Sequence, residues 1–83
     1  MFTKTTLSDK DIRNIWFQLL GTLNKGETVL TKETVSQSPL LGVVERTEWV
    51  LNRNLGKMEQ VVIVRCLDGV SRWFYTRNID RIV

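Results

Sequence analysis

Asp68-Gly69 lies between two β-prone runs, residues 58–67 and 70–76. An Asp-Gly pair in that setting is a strong sign of a β-hairpin, because glycine accepts the positive φ that a tight turn demands. A two-residue type I′ turn would set Cys66 opposite Ser71, Arg65 opposite Arg72, Val64 opposite Trp73 and Ile63 opposite Phe74. Register matters because neighbouring side chains on a strand point to opposite faces. In this register one face carries Val62, Val64, Cys66, Trp73 and Tyr75 without a charge, and it is expected to face the interior. The other carries Val61, Ile63 and Phe74 at one end and the Arg65–Arg72 pair toward the turn.

Ahead of the hairpin the chain opens with a helix. Ser8 suits the N-cap, Asp11 completes a capping box, and Leu7 with Ile12 forms a hydrophobic staple. Ile12, Ile15, Trp16, Leu19, Leu20 and Leu23 follow helical spacing, predicting one buried stripe over a helix of about residues 9–24. Gly26 is the expected C-cap. Strands are expected over 28–35, 43–51, 58–67 and 70–76, with one helical turn at 77–80 and a short last strand at 81–83. Pro39 marks a loop, and Gly56 a turn with positive φ. The helix stripe needs a dock and the half-apolar outer face of the hairpin needs a cover, so the two are expected to pack together.

The expected architecture is α+β, mainly β: one helix packed on a five-stranded antiparallel barrel of residues 27–83, within a single domain 1–83. Five short strands, a tight hairpin between the third and fourth and a helical turn before the last strand resemble the Src-homology-3-like barrel. The stretch VRCLDGVSRWFYTRNIDRI is similar to the end of KOW, Tudor and integrase C-terminal barrels. That resemblance implies a small binding module.

Composition narrows the function. The chain has 83 residues with 42% hydrophobic and 25% charged, which suits one folded domain near the lower limit for an unstapled core. It has no histidine and one cysteine, Cys66. The usual general base, nucleophile–histidine pairs and a zinc site therefore lack their residues, and no glycine-rich phosphate cradle is present. We expect no catalytic residues, metal, cofactor or small-molecule substrate. No run approaches the roughly 18 apolar residues of a membrane span. A lone cysteine and no secretion-type h-region lead us to expect a soluble, cytoplasmic protein.

Net charge is +3. Arg46, Arg53, Arg65, Arg72, Arg77 and Arg81 fall in the second half, interleaved with Glu45, Glu48, Glu59, Asp68 and Asp80. Like charges opposed on a strand pair repel. An Arg65–Arg72 pair would thus suit an anion held between the guanidinium forks. The first reading is a module contacting nucleic-acid backbone, weakly and with salt sensitivity, through Arg65, Arg72 and Arg77. Arg53 and Lys57 would lie at the edge and Tyr75 would stack. The plainer account is that Glu45, Glu48 or Glu59 neutralises these arginines. The rival function is a protein-binding module, such as a small phage or bacterial accessory regulator, with Trp49 and Phe17 as exposed contacts. Trp16 is expected in the core by its helical spacing.

Overall fold

Capping and strand propensity produce one helix followed by five strands in the computed structural model, which describes residues 6–83. Residues 1–5 of the expected single domain lie outside that range. The helix α1 spans Asp9–Leu20, and Ser8 caps it as expected. Ser8 Oγ accepts from the Asp11 N–H at 3.1 Å, and Asp11 Oδ2 accepts from the Ser8 N–H at 3.3 Å. The helix ends earlier than expected. Gly21, not Gly26, is the C-cap: it is left-handed (φ 68°) and donates its N–H to the Phe17 carbonyl, while Gly26 takes its expected positive φ (90°) in the turn before the first strand.

The strands are β1 (Thr28–Thr31), β2 (Leu41–Asn52), β3 (Lys57–Cys66), β4 (Ser71–Tyr75) and β5 (Ile79–Ile82), with a 3-10 turn over Thr76–Asn78 before β5. They form one antiparallel sheet in the order β4-β3-β2-β1-β5. The α+β, mainly β class holds, but the barrel does not. β4 and β5 end the sheet as unpaired edges, so it stays open. β1 is also shorter than expected: after Thr31 the chain leaves the sheet, and Val35 is fully exposed. Thr31 Oγ1 accepts the Leu40 N–H at 2.7 Å, closing the loop that returns the chain to β2.

The core lies on one face of this sheet. Val29, Val44, Val62, Val64, Cys66, Ile79 and Ile82 are buried there, with Phe74 packed against them. Gly42 is required within it, because a Cβ there would lie 2.6 Å from the Arg65 carbonyl oxygen. From the body, the β2–β3 hairpin runs on past its neighbours. Among the described residues, 49–60 have no sheet partner besides each other, which leaves a two-stranded ribbon with a turn at Gly56 (φ 63°).

Two packing expectations are reversed. Phe17 is buried at 5% exposure, while Trp16 is 50% and Leu19 70% exposed. The expected inner stripe of α1 thus faces outward, except for Leu23, which lies beyond the helix and is buried. The reason is the edge strand. β5 would otherwise present unpaired backbone groups, and polar side chains of α1 satisfy them. Asn14 Nδ2 donates to the Ile82 carbonyl and Asn14 Oδ1 accepts the Ile82 N–H, each at 2.7 Å. Gln18 Nε2 donates to the Asp80 carbonyl at 3.2 Å. Beside them Arg13 makes a two-pronged ion pair with Glu27, 2.7 Å at each contact. The helix therefore docks by its mixed polar side, with Phe17 as its apolar plug.

The second reversal is in the hairpin. Its loop holds three residues, Leu67, Asp68 and Gly69: the Cys66 carbonyl accepts from Gly69 N–H, and Cys66 N–H donates to the Val70 carbonyl. Gly69 has the expected positive φ of 80°. The arrangement is a tight turn followed by a left-handed residue, the common three-residue hairpin. Arg65 therefore faces Ser71, Val64 faces Arg72, Ile63 faces Trp73 and Val62 faces Phe74. This one-residue slip turns every β4 side chain to the other face. Phe74 goes to the core side, and Trp73 and Tyr75 go to the outer face.

Candidate functional site

The slip separates the two arginines expected to share an anion. Arg65 and Arg72 lie on opposite faces of the sheet. Each has an acid of its own. A bulge in β2 between Val44 and Arg46 places Glu45 and Arg46 in succession on the outer face, beside the Arg65–Ser71 row. There Glu45 Oε1 accepts from Ser71 Oγ at 2.7 Å and from Arg65 Nε at 2.9 Å. The serine first, and then the guanidinium, hold the Glu45 carboxyl below its usual value. Arg72 reaches back to both oxygens of Asp68, at 2.8 and 3.1 Å, and that contact depresses the Asp68 carboxyl to about 2.

Arg77 is also engaged. It pairs with Glu59, and its guanidinium carbon lies 4.2 Å from the centre of the Tyr75 ring. Tyr75 also meets Trp73 in a T-shaped contact, with ring centres 5.3 Å apart. The tyrosine expected to stack on a base thus contacts an arginine and a tryptophan of its own chain. Arg46 pairs with Glu48 at 2.7 Å. Among the described residues Arg53 and Lys57 make no ion pair; they sit on the ribbon, away from the Arg65 end of β3. The plainer expectation holds for two of its three acids: Glu45 takes Arg65 and Glu59 takes Arg77. Glu48 takes Arg46, and Arg72 is held by Asp68, an acid of the turn itself.

The structure brings other groups together. On the outer face, Trp73, Tyr75, Ile63, Val61 and Val50, with Glu48 at the rim, line an open groove of about 340 Å³. Trp73 is 59% exposed, and Val61 beneath is buried. A second groove of about 320 Å³ runs between the ribbon and the end of α1. Trp49, Met58, Lys57, Tyr75, Arg77 and Leu20 line it. Trp49 is 66% exposed, as expected of a contact residue, whereas Phe17 is buried and unavailable to a partner. A two-residue turn would place Trp73 inside. Its exposure follows from the three-residue loop, which the Asp-Gly pair signals equally well.

Among the described residues no cluster of three or more metal-ligating side chains occurs, and no helix is long and apolar enough to cross a membrane. Compared with known proteins, the chain matches no family model, no curated protein and no solved structure.

Proposed function

We propose that this chain is a small non-enzymatic protein-binding module that docks through the aromatic outer face of its sheet and the ribbon beside it. One observation carries the reading: Trp73 on the outer face and Trp49 on the ribbon are 59% and 66% exposed. A chain this small has few large side chains for its core, so leaving both at the surface favours their use as anchors. Tryptophan is enriched at the centres of protein interfaces, where it fills a partner's pocket. The arginines support the same reading. Arg65, Arg72 and Arg77 are each answered by a carboxylate, which leaves a mosaic of charge where a nucleic-acid surface needs a positive stripe.

The test is affinity capture on the full chain with and without nuclease, beside Trp49→Ala and Trp73→Ala. Capture of a protein that survives nuclease and falls in both variants, at unchanged melting temperature, is the expected result. Direct binding of a DNA or RNA duplex by the purified chain, weakened by Arg65→Gln and by added salt, would restore the nucleic-acid reading.

A further inference from the structure

The outward stripe of α1 has no role in either groove besides Leu20, and among the described residues nothing covers it. Ile12, Ile15, Trp16, Leu19 and Leu20 are 40–70% exposed and lie on one side of three turns. Leu7, 48% exposed, adjoins the same end of the helix. From their fractional exposures, these side chains present on the order of 500 Å², near the top of the range for the largest apolar patch of a monomer. We propose that this stripe is a homodimer interface, in which α1 packs antiparallel against α1 of a second copy of this chain.

Three observations favour a second copy over an unrelated protein. The first is spacing. Ile15, Trp16, Leu19 and Leu20 are separated by steps of one, three and one residue, which read the same in both directions, so an antiparallel copy sets Ile15 opposite Leu20 and Trp16 opposite Leu19. A two-fold interface needs this self-complementarity. The second is the helix dipole: antiparallel pairing opposes the dipoles of the two copies of α1 favourably. The third is area. Two stripes together supply on the order of 1,000 Å², the lower bound for a specific interface, which predicts a reversible dimer.

Sedimentation equilibrium of the full chain over a wide concentration range tests this. A monomer–dimer equilibrium is expected, and Leu19→Lys should raise its dissociation constant about tenfold or more. Leu19 is 70% exposed, so the variant monomer should keep its circular dichroism and its melting temperature at low concentration. A chain that stays monomeric, or a dimer indifferent to Leu19→Lys, would overturn the proposal. The interface uses neither Trp49 nor Trp73, so its failure is distinct from failure of the partner-binding reading.

Discussion

The two sides of α1 have opposite compositions and opposite fates. The side with Ile12, Ile15, Trp16, Leu19 and Leu20 is the more apolar, and it faces out. The side with Arg13, Asn14, Phe17 and Gln18 is mostly polar, and it holds the helix to the sheet. Burial of apolar area alone would choose the first side. Edge-strand backbone adds a second demand, since a peptide group removed from water without a partner costs about as much as a lost hydrogen bond. Asn14 meets that demand at Ile82 with an amide that copies a strand's own donor and acceptor, and the sheet edge is closed by a helix. Among the described residues the opposite edge, β4, has no such cover, and it borders the groove with Trp73. One edge is therefore capped from within, and the other is left available.

The sharpest way to break this contrast is at the plug. Phe17→Ala should cost about 3–5 kcal/mol in urea unfolding, because it empties a buried site where helix and core meet. Asn14→Leu is similar in size yet abolishes both bonds to Ile82, and it should cost about 1–3 kcal/mol. A neutral Asn14→Leu would mean that apolar contact alone docks the helix.

Glu27→Gln should cost about 1–2 kcal/mol by unpairing Arg13. The hydrogen bond from Arg13 holds the Glu27 carboxyl below its usual value. A lowered folded pKa means stability that is present above the unfolded value, about 4.3, and is lost as pH falls through the lower folded value. A urea series at descending pH should therefore show the wild type losing stability in acid more steeply than Glu27→Gln. At the other extreme, Trp16→Ala and Leu19→Ala should each change the stability of the monomer by less than about 0.5 kcal/mol.

Much of this was legible in the residues, and the misses share one cause. Ser8 with Asp11 marked the helix start, and the Thr- and Val-rich runs marked the strands, because caps and strand propensity are local. Asp68-Gly69 marked a hairpin with glycine at positive φ. It did not distinguish a two-residue loop from a three-residue one, since both place a glycine there, and one residue of difference exchanged Phe74 with Trp73 and Tyr75. The stripe on α1 was visible as a pattern, but its direction was not. That depended on Ile82 presenting backbone at an edge, a fact set by strand order. Closure of the sheet failed in the same way, because no short stretch states whether β4 and β5 have partners. At the candidate site, Trp49 was readable as an exposed aromatic. The pairing of Glu45 with Arg65 required the β2 bulge, which no residue there announces.

The account rests on α1 docking with its tryptophan outward, and that tryptophan reports on itself. Trp49→Phe with Trp73→Phe leaves Trp16 as the only tryptophan of the chain. Its fluorescence can then be titrated with acrylamide at low protein concentration, where self-association is absent. The expected result is red-shifted emission and quenching that approaches that of the urea-unfolded chain. Blue-shifted emission and strong protection in the dilute native protein would place Trp16 in the core, and the orientation of the helix described here would be wrong.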